Sequence, residues 1–263
     1  MASAADRDFN PDEIRARLER LARRDCDRRL FGSSSHNYSL HPPLDAAEVE
    51  AFERRHGLEL PEEYRRFITT VGNGGAGPGH GLFPFGYDDE GKWGEFLPIG
   101  DPGKPFPYQE KWNLDEEFWK DEPRCPDDMS FEEHDRLMAE WDARLEPVYW
   151  APSIMNGAIP ICHQGCALRQ WLVVNGEQRG NVWDDLRADN AGLRPVVGVA
   201  DKPATFSDWY FTWLEEAERA ELRPVVDQSR YAISPPGLRA RNWLTLLFLI
   251  VVGVVATALL AWF

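Results

Sequence analysis

Four groups of residues in this chain have types and spacings that could carry chemistry. The run from Gly72 to Gly81, GNGGAGPGHG, is rich enough in glycine to cradle a phosphate. It lacks the Gly-Lys-Ser/Thr ending of a P-loop and the strand, GxGxxG, helix order of a dinucleotide site, so a turn is expected there. Cys162 and Cys166, with His163 between them, have zinc-like spacing, but no second close pair completes four ligands. Core cysteines in or beside a strand are expected instead. Asp88-Asp89-Glu90 could hold a cation, although three adjacent acids more often form a solvated turn. The histidines His36, His41, His56, His80, His134 and His163 are scattered, with no Ser or Cys motif for them to activate. No side chain stands out as catalytic, no cofactor or metal site is expected, and the chain reads as a non-enzyme.

The elements around these residues are legible in outline. In Leu58–Gly81, Pro61 sits where a first helical residue belongs, since its fixed φ suits that turn and its missing N–H would be unpaired there. Tyr64, Phe67, Ile68 and Val71 recur at three- and four-residue spacing and so share one face. Gly72, Asn73, Gly74 and Gly75 tolerate positive φ and end that helix. Upstream, Asn10-Pro11-Asp12-Glu13 is a helix start, with Ile14, Leu18 and Leu21 on one face through about Arg24 and a mixed, Arg-rich solvated face opposite. Ser33 to Pro43 reads as a polar linker. Asp45 caps a second helix, with Val49 and Phe52 inward and Gly57 as its stop. Leu82–Phe85 and Phe96–Ile99 look like short strands that Pro84 and Pro98 restrict to edges. Ile159–Cys162, Gln170–Asn175 and Gly180–Trp183 are β-like, with Asn175-Gly176 as a hairpin signal for a turn of two residues or more. Thr205 to Asp208 opens a last helix whose apolar side carries Trp209, Trp213 and Leu214. Strands in hairpins with helices at both ends make the fold class α+β.

Composition narrows the function. With 263 residues, 43% hydrophobic, and eleven tryptophans, the chain can bury a sizeable core. Its net charge of -15 is uneven: Pro84 to Glu146 holds nineteen Asp/Glu against seven Lys/Arg. Such a surface repels phosphates, so no nucleic-acid partner is expected, whereas a basic protein would be steered to it. Four cysteines are too few for a disulfide framework at this length, and reduced thiols are expected. The N-terminus has no apolar h-region, so no signal peptide is expected.

The acidic segment, roughly 101–146, begins Pro-rich and aromatic and ends in a helix opening at Ser130, with Leu137, Met138, Trp141 and Leu145 on one side. Two readings of it stand. Either Tyr108, Trp112 and Trp119, with Asp115, Glu116 and Glu117 between them, form a partner-binding surface, or the aromatics complete the core and the acids are solvation.

Several of these stretches carry a resemblance. Leu58-Glu59-Leu60-Pro61-Glu62-Glu63-Tyr64-Arg65-Arg66-Phe67 followed by Asn73-Gly74-Gly75 closely resembles the SUKH superfamily of Smi/Knr-like domains. Ile159–Cys162 with Gly165-Cys166, Trp171–Val174, Arg179–Trp183 and Phe206–Tyr210 follow in that family's order. The resemblance covers roughly residues 40–220. Its structural signature falls on Leu60, Pro61, Tyr64, Phe67, Asn73, Gly74, Gly75, Trp183 and Trp209. It implies a mixed sheet flanked by helices and a non-catalytic, immunity or antitoxin-like protein that occludes a cognate toxin. The alternative it implies, closer to fungal members, is a regulatory scaffold for cytosolic or cell-envelope proteins. Many members have a shorter connection where this chain has its acidic insertion.

Domain boundaries are expected at 1–43 for the N-terminal helix and linker, 44–220 for the SUKH-like domain, 221–242 for a second linker, and 243–263 for a transmembrane helix. The last segment is uncharged, and at 1.5 Å per residue it reaches roughly 30 Å, the thickness of a bilayer core. Its thirteen Leu/Ile/Val/Phe residues favour insertion by roughly 4 to 8 kcal/mol. Trp243 and Trp262 bracket it as interfacial anchors. Arg230, Arg239 and Arg241 precede it and nothing follows, so the domain is expected on the cytoplasmic face, with the lipid bilayer as one partner and a protein, such as a basic toxin domain, as the other.

Overall fold

The computed structural model describes residues 9–87, 91–93, 99–126 and 128–222. The Asp88-Asp89-Glu90 run, the strand expected at Phe96–Ile99 up to Pro98, and the apolar segment with Trp243 and Trp262 lie outside the described residues.

The helices form where local signals place them. Helix α1 (Pro11–Arg24) starts on Asn10, whose side chain accepts the N–H groups of Asp12 at 3.0 Å and Glu13 at 3.3 Å. A single turn, α2 (Ser33–His36), follows. Helix α3 (Ala46–His56) is capped by Asp45 and stopped by Gly57 at φ 64. Helix α4 (Glu62–Arg66) runs into a wider turn over Phe67–Val71, closed by Gly72 N–H donating to Phe67 O at 3.1 Å. Pro61 stands one position earlier than expected. Its ψ of 131 keeps it outside the helix, while its carbonyl accepts the first helical bond from Arg65 N–H. Tyr64, Phe67, Ile68 and Val71 are all buried, as their spacing requires.

Four strands, β1 (Ala158–Gly165), β2 (Leu168–Val173), β3 (Val182–Asp185) and β4 (Leu193–Pro195), form one sheet in the order 1-2-3-4. The resemblance implies a mixed sheet; all three pairings here are antiparallel. Strand β3 begins two residues later than Gly180 and β4 has no counterpart in the sequence reading. Leu82–Phe85 is also not a regular strand: Leu82 makes single bridges to Gly75 and Cys162. Helix α7 (Phe206–Arg219), capped by Thr205, ends the described chain.

Side-chain alternation divides the core in two. Ile159, Ile161, Leu172 and Val182 face α1, α4 and α7, where Phe67 lies 5.3 Å from Phe206 and 4.8 Å from Tyr210 between ring centres. Ala158, Trp171, Val173, Trp183 and Leu193 face the other way, and Phe106, Ile154 and Met155 cover them. A third cluster joins Trp141 and Leu145 of α6 (Phe131–Leu145) to Tyr149, with Trp112 and with Phe118 and Trp119 of α5 (Glu116–Trp119). The first part of the acidic insertion, with Ile154 and Met155, therefore forms the second layer over the sheet, and α6 packs outside it through Tyr149. Helices α1, α4 and α7 form the first.

One glycine is indispensable to this arrangement. Gly75, at φ +99, exchanges both backbone hydrogen bonds with Leu82 at 2.9 and 2.7 Å, and a Cβ there would run into Ser39 O. The glycine run is a turn that feeds the chain to the β1 edge, where Phe83 N–H donates to Ile161 O at 2.9 Å.

Candidate functional site

The stretch Leu58–Gly81 works as a hub of long-range backbone contacts. The Arg179 guanidinium donates to Glu59 O at 3.1 and 3.2 Å and to Leu60 O at 2.9 Å, tying the β2–β3 connection to the entry of α4. Glu63 accepts Ser207 N–H at 2.9 Å, occupying a free donor in the first turn of α7. Asn73 accepts Phe85 N–H at 2.8 Å, and Tyr210 O–H donates to Ala76 O at 3.2 Å. Each of these side chains holds backbone.

The residues with latent chemistry are dispersed or enclosed. Cys162 is buried, its thiol donates to Pro78 O at 2.9 Å, and burial pushes its pKa far up, away from the thiolate a metal or nucleophile needs. Cys166 is exposed on the β1–β2 turn at φ 50, so the two sulfurs occupy different environments. His80 stacks on His163 at 5.3 Å, and its Nδ1 lies 2.9 Å from Ser35 Oγ. His36 is buried against Trp213, its Nδ1 accepting Tyr38 N–H; burial, then the charges of Arg28 and His80, lower its pKa to about 4. Nearby, Asp25 accepts from Tyr38 O–H and from the N–H groups of Arg29 and Leu30. His36, Tyr38 and Ser33 are all buried, so part of the stretch expected as a linker belongs to the packed body. Among the described residues no three His, Cys, Asp or Glu side chains converge on one point.

The acidic insertion sorts its residues by chemistry. Trp112 stacks on Tyr108 at 4.9 Å and lies 5.6 Å from Tyr149, while Trp119 meets Tyr149 edge-on at 5.1 Å; all three candidate aromatics are half-buried. Asp115, Glu116 and Glu117 are exposed, with Asp115 capping α5 and Glu117 paired with Lys120. Along α6, Glu132, Glu133, Asp135, Glu140 and Asp142 face solvent, and Phe131 is 81% exposed among them. Because this insertion covers the sheet face opposite α1, its carboxylates and the arginines of α1 lie on different sides of the sheet. The aromatics form the wall and the acids form its outer surface.

Two polar constructions carry no local signal. Arg187 and Asp185 form a buried two-point ion pair at 2.8 and 2.7 Å, and Arg187 also donates to Tyr149 O at 2.8 Å and lies 4.9 Å from the Trp150 ring. The second begins at Asp184, paired with Arg194, and passes through Gln170 to Gln164. It floors a groove of about 360 Å³ bounded by Trp209, Trp213, Val197 and Glu216. Trp183, another signature residue, is fully buried, and its indole N–H has no hydrogen-bond partner among the described residues. It serves packing.

In comparison with known proteins, the model of the SMI1 / KNR4 family (SUKH-1) matches residues 43–209. That span opens just before α3 and closes within α7, and it includes the acidic insertion. No curated protein and no solved structure matches the chain.

Proposed function

The chain belongs to the SMI1 / KNR4 family (SUKH-1), and from that premise we propose that it binds and neutralises a basic protein toxin through the acidic outer surface of its insertion. Domains of this family are generally non-catalytic protein-binding modules of the immunity type. The observation that carries the reading here is the division of labour in residues 101–146: the aromatics pack half-buried against the second and third clusters, leaving Asp115, Glu116, Glu117 and the acids of α6 exposed. Carboxylates held on a rigid wall steer a basic partner and lose little entropy when it docks. Phe131, exposed at the start of α6, supplies an apolar anchor beside them.

The second part of the proposal is a tether. The uncharged run Trp243–Phe263 is long enough to cross a bilayer, and the arginines before it favour retention of the domain on the cytoplasmic side. The neutraliser is then held where a delivered toxin enters or acts. Among the described residues no helix is long and apolar enough to cross a membrane.

The test is capture by the full chain, followed by co-expression with the captured protein. One basic protein, bound more weakly in high salt and by the Glu116→Lys/Glu117→Lys variant, and harmless to cells only when the intact chain is present, supports the reading. Capture of several cell-envelope proteins with no toxicity to relieve would favour a membrane-tethered scaffold instead.

A further inference from the structure

The groove beside α7 has a hydrogen-bonding polarity that its own residues determine. Asp184 can only accept, and it takes a hydrogen bond from Gln170 Nε2 at 2.9 Å. The Trp209 indole can only donate, and it donates to Gln170 Oε1 at 3.0 Å. These two constraints, from opposite ends, allow the Gln170 amide one orientation. Gln164 must then turn its own NH2 group inward, donating to Gln170 Oε1 at 2.6 Å and to Cys162 Sγ at 3.2 Å. Its carbonyl oxygen is left over and has no partner among the described residues. Gly79 packs closely over this amide: a Cβ there would come within 2.9 Å of Gln164 Nε2, so the glycine leaves room for the orientation to persist.

The relay therefore ends in an acceptor at the groove. Glu216, which also lines it, is exposed and forms no ion pair among the described residues. Trp213 adds an aromatic wall. Two acceptors, one of them charged, beside an aromatic ring call for a ligand that is cationic and donates hydrogen bonds. The rim says which kind. Val197, which lines the groove, and Val199, two residues further along the same loop, are 71% and 48% exposed. A free cation of small size would leave them in water, whereas a side chain on a polypeptide would cover them with its neighbours.

We propose that this groove is a second protein-binding site, which takes an arginine or lysine side chain of a partner between Trp213, Gln164 and Glu216, with flanking apolar residues of the partner resting on Val197 and Val199. It lies on the helical side of the sheet, away from the acidic insertion, and does not depend on the reading given to that surface.

The probe is the tripeptide acetyl-leucyl-arginyl-leucine amide, titrated into the full chain in detergent micelles while the indole N–H resonances of Trp209 and Trp213 are followed. The expected result is a saturable shift of both, weakened roughly threefold by Glu216→Gln. Val197→Ser weakens the tripeptide but leaves arginine amide unchanged. Both substituted residues are exposed, so folding is not at stake. The proposal is overturned if neither resonance moves up to several millimolar, or if the glutamyl tripeptide binds equally well. Equal binding by arginine amide alone also overturns it, since the source would then be a small molecule. None of these outcomes touches salt-dependent capture through Glu116 and Glu117.

Discussion

The backbone of Trp112 and that of Leu193 face each other at the open edge of β4, Trp112 N–H donating to Leu193 O at 2.8 Å and Leu193 N–H to Trp112 O at 2.7 Å. One residue of the acidic insertion thus acts as a short fifth partner for the sheet, while its ring joins the aromatic wall. An unpaired edge in a sheet this small invites association with other chains, and this contact covers it. The insertion is built into the fold at the level of main-chain hydrogen bonds, in addition to displaying charge.

Stability and partner capture should therefore separate within a few residues. Trp112→Ala removes the stack with Tyr108 and the packing on Tyr149, and we expect it to lower the unfolding free energy by about 2–4 kcal/mol, read by urea denaturation. Glu116→Lys with Glu117→Lys should stay within about 0.5 kcal/mol of the parent. Equal losses for both would mean that the exposed acids, too, are structural.

The ion pair of Asp185 with Arg187 gives a second contrast. Arg187→Met alone leaves a buried carboxylate without its partner and should cost about 3–5 kcal/mol. Adding Asp185→Leu removes the stranded charge, so the double variant should recover most of that loss. A double variant as unstable as the single would point instead to the Arg187 bond with Tyr149 O as the main contribution.

A pH dependence follows from His36. Its folded pKa of about 4 lies below the ordinary value of 6.5, because burial and the charges of Arg28 and His80 disfavour the imidazolium. Between those values the unfolded chain binds more protons than the folded one, so the contribution is fully present above pH 6.5 and is lost as pH falls toward 4. The expected loss from this residue between pH 7 and pH 4.5 is about 2 kcal/mol. His36→Asn keeps an acceptor for Tyr38 N–H and should flatten that part of the profile; an unchanged slope would show that His36 is not its source.

The tether makes a prediction that the domain does not share. The full chain should float with vesicles and resist carbonate extraction, while a chain ending at Asn242 should not. Protease added outside intact cells should leave the domain uncut, and digestion there would reverse the proposed orientation.

What the sequence by itself determined is local. Asn10, Asp45 and Thr205 cap their helices because a short side chain reaches an N–H two or three residues away. Tyr64, Phe67, Ile68 and Val71 are buried because a helical period needs no partner to be read. Pro61 stands one position before the first helical residue, since proline is equally compatible with the residue before the first turn. The β2–β3 connection takes the longer of the two forms that Asn175-Gly176 allows, and Arg179 ties it to Glu59 and Leu60.

Only the tertiary structure decided the rest. Whether Tyr108, Trp112 and Trp119 face a partner or the core depends on Tyr149 and on the uncovered face of the sheet, which lie 30 residues or more beyond them. Asp185 with Arg187, and Gln164 with Gln170, look like ordinary surface residues, and their hydrogen-bond directions follow from Tyr149, Asp184 and Trp209, placed there by other elements. Periodicity and capping are set within one turn of chain. The polarity of a groove is set by groups that meet only once the layers have packed.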